Sequence, residues 1–351
     1  MTGPDLRIAL VGYGLAGRFF HAPVLSAVDG LVLAAVVTAS PERAAQADAD
    51  HPGVEVLPDT DALWRRAGEY DAVVVATPNR THVPLALAAV TAGLPVVIDK
   101  PLAGTAEEGS AAVQAAERAG VLLTVFHNRR WDADLRTAER LLADGALGAP
   151  LRFETRFERW RPEQREGWRE SADPADGGGL LLDLGSHQVD QALFLLGPVV
   201  SVYAEADRRR PGVAVEDDVM LALTHVGGAR STHWLSATAA HAGPRLRLLG
   251  SRAAYVVAGL DGQEDALRAG QRPGPGWGDV PESEWGVLWS GDKTTRVPSL
   301  PGDYRLFYRG LLSALRDGTP PPVTPAEALA VLRVLDAART SARTGQVVSL
   351  A

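Results

Sequence analysis

The chain has 351 residues, more than a single hydrophobic core usually serves, so two domains are expected. Its formal net charge of -8, with basic residues scattered apart from short runs such as Arg208, Arg209 and Arg210, argues against a nucleic-acid footprint. It contains no cysteine, which removes disulfides and thiolate metal sites and fits a reducing compartment.

The N-terminus enters LRIALVGYG almost at once, without a basic leader, and no apolar run approaches the ~18 residues needed to span a membrane. A soluble, cytoplasmic chain is expected. Short apolar runs at 6–12, 31–37, 54–57, 71–76, 95–99 and 121–126 read as strands buried on both faces. Helical patterns near 17–28, 41–48, 60–67, 81–92 and 105–119 lie between them, the last opening at Thr105 with Glu107 and Glu108 in its first turn. Such alternation implies right-handed crossovers and a parallel sheet. Residues 1–126 are therefore expected to form an α/β Rossmann dinucleotide-binding domain, and residues 127–351 a second domain.

Within the first half, VGYGLAGRFF sets Gly12, Gly14 and Gly17 as G-x-G-x-x-G directly after a strand and at a helix start. That context assigns a tight turn to Gly12, close approach to a pyrophosphate to Gly14 and close helix–strand packing to Gly17. At the end of the second strand an NAD site usually carries a carboxylate, but here stand Thr38, Ala39 and Ser40, with Arg43 shortly after. Asp29 comes too early. A hydroxyl and a guanidinium suit a 2′-phosphate, so the pattern favours NADP, with NAD possible; Arg43 could equally be an ordinary surface residue. Asp99, Lys100 and Pro101 end the fifth strand, where open α/β sheets place ligands, although a strand-end lysine can simply snorkel.

The second half has a different grammar. Candidate strands at 151–159, 199–208, 215–226, 229–238, 244–251 and 253–259 alternate in polarity, and two helices near 303–317 and 325–344 close the chain. An α+β domain with an open, mainly antiparallel sheet follows, whose face or edge needs a cover. Residues 158–170, ERWRPEQREGWRE, read as a loop offering Arg161 and Trp168 as substrate contacts, or as an ordinary surface excursion; 270–282 is an extended loop. Residues 178–197 read as an apolar helix ending at Gly197, yet they carry Asp183, His187 and Asp190, spaced to share one face: that face is wet, or it is a site. A metal pair on Asp183 and His187 lacks visible further ligands, and Ser186 has no G-x-S-x-G around it.

The stretches GYGLAGRFFHAP (12–23), ATPNRTHVPLALAAVTAGLPVVIDKPL (76–102), HNRRWDADLRT (127–137) and GGGLLLDLGSHQVDQALFLLG (177–197) together resemble the Gfo/Idh/MocA oxidoreductases of sugars and cyclitols, over nearly the whole chain. GLDGQEDALRAG, WGDVPE and PSLPGDY add a likeness to the NADP-dependent scyllo-inositol dehydrogenase branch. The resemblance implies that the cofactor is lined by Gly12, Tyr13, Gly14, Leu15, Ala16, Gly17, Thr38, Ser40, Arg43, Thr77, Pro78, Asn79, His82 and Lys100. It implies a cis bond before Pro101 and a catalytic trio of Lys100, Asp183 and His187. His187 is assigned as proton acceptor, Asp183 as its partner or a ligand for a neighbouring hydroxyl, and Lys100 as cationic donor to the reacting oxygen; Lys100 and His187 could exchange roles. Asp190 is left as structural. Asn128, Arg130 and Trp131 line the polyol pocket, unless Arg130 forms an interdomain salt bridge. The resemblance further implies a homodimer or homotetramer through the C-terminal sheet. One departure is Asp99, where family members usually have glutamate.

The reading that results is an NADP-preferring dehydrogenase interconverting a cyclic polyol, best scyllo-inositol, and its ketone, with no metal, nucleic acid or membrane partner. Its rivals are an aldose dehydrogenase, an NAD-retaining glycosidase and a dinucleotide-sensing regulator.

Overall fold

The computed structural model describes residues 3–350 apart from 165–166, 168–169 and 174–175. The chain forms two compact units. The first comprises residues 1–128, 263–275 and 304–329, and the second 129–262, 276–303 and 330–351. The first crossing falls close to the expected boundary at 126/127, but the second half is not one continuous domain: two of its segments return to the first unit.

The first unit holds six strands, β1 (Leu6–Val11), β2 (Leu31–Val37), β3 (Glu55–Leu57), β4 (Ala72–Val75), β5 (Val96–Asp99) and β6 (Leu123–Phe126). They pair in the order β3-β2-β1-β4-β5-β6, all parallel. β4 and β6 are buried at every position, as expected for strands covered on both faces by crossover helices. Those helices are α1 (Ala22–Leu25), α2 (Pro41–Asp50), α3 (Thr60–Trp64), α4 (His82–Thr91) and α5 (Ala106–Ala119). Thr105 caps α5 by accepting from the Glu108 N–H, so the helix start read from sequence carries its own physical cause. The helix read at 17–28 differs: a π-helical turn, Ala16–His21, precedes the short α1.

The second unit opens with α6 (Ala133–Ala143), a helix the sequence reading did not mark, and continues with β7 (Pro150–Glu158), α7 (Leu180–Asp183), α8 (Gly185–Leu196), β8 (Val199–Asp207), β9 (Asp218–His225), β10 (Arg230–Ser236), β11 (Leu246–Gly250) and β12 (Ala254–Val257). After α9 (Gln263–Arg268) in the first unit come β13 (Val287–Ser290) and β14 (Lys293–Arg296) in the second, a hairpin also missed. α10 (Arg305–Asp317) lies in the first unit; α11 (Pro325–Thr344) starts there and continues in the second, followed by β15 (Val348–Ser349). The nine-stranded sheet runs β14-β13-β12-β11-β7-β10-β9-β8-β15. Only β7 and β10 pair in parallel, so the sheet is mainly antiparallel, as expected. β9 alternates half-buried and buried positions throughout. The inward row includes Phe153, Phe157, Leu221, Leu223 and Leu235, all nearly inaccessible.

Candidate active site

The predicted residues divide between the two units, most of them in the first. In the first, the turns at the carboxyl ends of β1, β2, β4 and β5 gather the dinucleotide candidates. Gly12 has φ +97°, and a Cβ there would lie 2.6 Å from the Ala76 carbonyl oxygen. A Cβ on Gly17 would stand 2.0 Å from the Gly12 carbonyl oxygen, so neither position admits a side chain. At Gly14 an added Cβ would meet only the Arg43 guanidinium, at 3.9 Å. The middle glycine therefore faces open space edged by a cation, which suits a pyrophosphate and an adenosine phosphate.

The remaining residues of this half divide. Leu15 is exposed, Ala16 starts the π-helical turn, and Arg43 lies exposed in the first turn of α2. Tyr13 is buried and its phenol donates to Asp50 at 3.1 Å, an acceptor shared with Arg18. Burial, reinforced by Asp50, pushes that phenol well above its ordinary value, so the side chain is structural and only the backbone of Tyr13 can serve a ligand. Ser40 is the N-cap of α2, accepting from the Arg43 N–H at 3.3 Å, and Thr38 accepts from the Ser40 N–H. Both hydroxyls keep a proton to donate. Thr77 is half-buried and accepts from the Thr81 hydroxyl; Pro78 is exposed and Asn79 buried. His82 corrects the expectation of a cofactor contact: it is wholly buried, with both ring nitrogens facing carbonyl oxygens.

Lys100 follows β5, half-buried, and its bond to Pro101 is cis. Beside it, burial raises the Asp99 carboxyl, but His21, Lys100 and His82 outweigh that and hold it below the ordinary value. His21 and its partner Tyr308, both wholly buried, went unnoticed in the sequence.

In the second unit the helix read at 178–197 is broken. The Leu184 N–H bonds to the Leu180 carbonyl, whereas the His187 N–H reaches back only three residues to Leu184, a local tightening that separates α7 from α8. Asp183 ends α7, half-buried, and His187 lies buried in the first turn of α8. A Cβ on Gly185, between them, would make only ordinary contacts with Leu181, Leu335 and Leu235, at 3.4–3.5 Å. Glu216 holds the start of α7: its carbonyl accepts from the Leu180 N–H and its carboxylate from the Leu181 N–H, at 3.1 and 3.2 Å. The His187 ring packs on Phe157 with centroids 6.5 Å apart. The Phe157 ring also receives two buried guanidiniums, Arg245 at 4.2 Å and Arg129 at 4.9 Å.

Asp190 is the structural residue of the three. Its carboxylate takes the Arg130 guanidinium at 2.7–3.2 Å in a buried pair. Arg130 is thereby corrected twice: it is engaged in a salt bridge rather than offered to a substrate, and the bridge lies within the second unit rather than between domains. Asn128 and Trp131 are half-buried in a 3-10 turn. The Arg161 N–H bonds to the Ala237 carbonyl and its side chain is half-buried. Trp168 lies outside the described residues.

Behind Phe157 sits a charge cluster that sequence reading did not single out: Arg129 pairs with Asp132 at 3.2 Å and Arg245 with Asp134 at 3.5 Å, while Asp261 accepts from the Ala133 N–H. Burial, only partly offset by Arg129 and reinforced by Asp261 and Asp134, pushes the Asp132 carboxyl up to about 8.

Two family models match the chain: "Oxidoreductase family, NAD-binding Rossmann fold" over residues 6–127 and "GFO/IDH/MocA C-terminal domain" over residues 135–256. The scyllo-inositol 2-dehydrogenase (NADP(+)) IolW of Bacillus subtilis is 35% identical over 98% of this chain and 96% of its own. The chain belongs to the Gfo/Idh/MocA oxidoreductase family. The D-apiose dehydrogenase of Paraburkholderia graminis is 29% identical over 97% of this chain and 89% of that protein. Among solved structures, the oxidoreductase YvaA of Bacillus subtilis superposes with a TM-score of 0.93 at 33% identity, covering 99% of each chain. Among the described residues of this Gfo/Idh/MocA protein, no helix is long and apolar enough to cross a membrane.

Proposed function

We propose that this chain is an NADP-preferring dehydrogenase that interconverts a cyclic polyol, best scyllo-inositol, and its ketone. The observation that carries the cofactor preference is the Arg43 guanidinium beside Gly14, with hydroxyls rather than a carboxylate at the end of β2. The full-length likeness to a scyllo-inositol 2-dehydrogenase (NADP(+)) supports both substrate and cofactor.

A bound nicotinamide would supply the hydride acceptor. The chain's own residues supply the rest. His187, its ring seated on Phe157, accepts the hydroxyl proton through an imidazole nitrogen. Asp183, four residues earlier, orients that ring or an adjacent substrate hydroxyl. The Lys100 ammonium donates to the reacting oxygen as negative charge develops on it. A second reading, an aldose dehydrogenase with the same trio, is favoured by the D-apiose dehydrogenase likeness.

The outward face of the nine-stranded sheet supports a second copy of the chain as partner. There a shallow groove of about 490 Å³ is lined by Glu205, Asp207, Arg209, Met220 and Trp234, among others. Arg156 stacks on Trp234 at 4.0 Å between Glu154 and Glu158, and such interspersed charges are self-complementary across a twofold axis. Light scattering of purified protein should give a dimer or tetramer, and Trp234→Arg should shift it toward monomer.

The deciding assay follows absorbance at about 340 nm, where reduced nicotinamide absorbs, with NADP or NAD and a panel of inositols and aldoses. Rapid reduction of NADP by scyllo-inositol is expected. Reduction by aldoses alone would transfer the reading to sugars, and silence across the panel would reject it.

A further inference from the structure

The turn that carries Lys100 is held from two sides by histidines that lie wholly inside the protein. On one side is His82, at the start of α4. Its Nδ1 lies 2.8 Å from the Pro101 carbonyl oxygen and its Nε2 lies 2.9 Å from the Thr77 carbonyl oxygen. One ring thus stands between two turns: the turn after β4, expected against the dinucleotide, and the turn after β5, which presents Lys100. On the other side is His21, whose Nε2 stands 3.5 Å from Asp99 Oδ1 and whose Nδ1 stands 2.6 Å from the Tyr308 hydroxyl. Phe126 packs on the His21 ring with centroids 4.3 Å apart, and Phe307 meets Phe126 edge-on at 4.8 Å.

Proton positions follow from the chemistry of each partner. Burial, with the Asp99 charge, keeps the Tyr308 phenol protonated. Its O–H donates to His21 Nδ1, because the reverse arrangement would leave a buried hydroxyl proton without an acceptor. The remaining ring proton of His21 then sits on Nε2, facing the Asp99 carboxylate. His82 is neutral, since burial holds its imidazole below the ordinary value. A neutral ring has one N–H for two carbonyl oxygens, so the proton must favour one turn over the other.

We propose that His82 is the positioning residue for Lys100, donating from Nδ1 to the Pro101 carbonyl and so fixing the backbone from which the lysine side chain departs, while His21 and Tyr308 steady Asp99 from the opposite side. The inference rests on the dehydrogenase reading only for the use to which Lys100 is put. It explains why a histidine within the stretch that resembles a cofactor site is inaccessible to any cofactor. A displacement of ~1 Å at a reacting group costs on the order of 10²-fold in rate, so the hold is worth having.

The sequence supplies its own control. Only two lysines occur, Lys100 and Lys293, and Lys293 lies on the exposed strand β14. Full-length protein, with and without NADP, is briefly acetylated with acetic anhydride at one pH, and labelling at each lysine is read by mass spectrometry. His82→Asn places an amide N–H near the former Nδ1, keeping the Pro101 contact; His82→Gln places one near the former Nε2, keeping only the Thr77 contact. The Lys100 to Lys293 labelling ratio should stay within about twofold of wild type in His82→Asn and rise about fivefold or more in His82→Gln, whose loosened turn frees a half-buried amine. Equal ratios in the two variants would overturn the proposal. Where a polyol is turned over, His82→Gln should also lower kcat by about tenfold or more with KM for the dinucleotide unchanged, and His82→Asn should recover most of it. If no substrate is turned over yet the ratios separate, the dehydrogenase reading fails and the positioning role stands. If neither amide variant folds, Tyr308→Phe tests the other hold, and a wild-type labelling ratio there would overturn the proposal.

Discussion

At the scale of single residues, the proposed chemistry concentrates in Lys100, Asp183, His187 and Arg43. Lys100→Met removes the cation but little volume, so turnover should fall by about 10²-fold or more while dinucleotide affinity, followed by fluorescence titration, stays nearly unchanged. Unchanged turnover would take Lys100 out of the mechanism. Arg43→Ala removes a guanidinium that edges the open space at Gly14. Hydrogen bonds to charged groups are worth about 1.5–3 kcal/mol, so NADP binding should weaken roughly 10- to 100-fold and NAD binding far less; equal losses would remove the basis for NADP preference. Types and spacing singled these four out as candidates. The roles of Arg130, Tyr13 and His82 were not, because a side chain's partner is set by what the fold brings against it. Arg130 meets Asp190 sixty positions along the chain, and Tyr13 meets Asp50.

At the scale of elements, Gly12 and Gly17 have the tight turn and close packing that the glycine spacing implies. Gly17→Ala would press a methyl group against the Gly12 carbonyl at 2.0 Å. Such overpacking costs about 1–3 kcal/mol, so thermal melting should drop and dinucleotide binding should fall with it. A variant that binds normally would show that the loop can move aside. On the inner face of the nine-stranded sheet, hydrogen bonds link three strands: Thr155 donates to His233 Nδ1 at 2.6 Å, His233 Nε2 to Ser231 at 3.0 Å, Ser231 to His225 Nε2 at 3.0 Å, and His225 Nδ1 to the Gly197 carbonyl at 2.8 Å. Every proton in this chain is accounted for with both rings neutral. Burial accordingly pushes both imidazoles down, His233 from 6.5 to about 3. The unfolded chain takes up protons at these rings near pH 6.5 and the folded chain does not. Their contribution is therefore fully present above about pH 6.5 and lost as pH falls toward 3, by about 1.4 kcal/mol per unit for each ring still neutral. Thermal melting of wild type should show this decline, and His233→Gln should flatten it.

At the scale of the whole molecule, Asp132 acts in the opposite sense. Burial pushes its carboxyl up from the ordinary 3.8 to about 8 in the folded protein, so the stability it contributes is full below about pH 3.8 and is lost as pH rises toward 8. In Asp132→Asn the side chain cannot ionise. The variant's melting temperature relative to wild type should therefore climb between about pH 4 and pH 8 and level off above it; a constant difference across that range would mean that Asp132 is charged throughout. The sequence by itself determined the six parallel strands with their helices, the start of α5, the mainly antiparallel second sheet, the two late helices, the glycine motif and the candidate trio. Those features rest on periodicity, capping and glycine geometry, which act over a few neighbouring residues. Only the tertiary structure decided that 263–275 and 304–329 return to the first unit, that the helix at 178–197 breaks at Leu184, that β13 and β14 extend the sheet, and that His82, His21 and Tyr308 are buried around Lys100. Each of these depends on pairing and burial between positions tens to hundreds of residues apart, up to the 287 that separate His21 from Tyr308. No local pattern encodes such a pairing, because hydrophobic burial is non-directional and a partner is chosen only once the whole chain has closed.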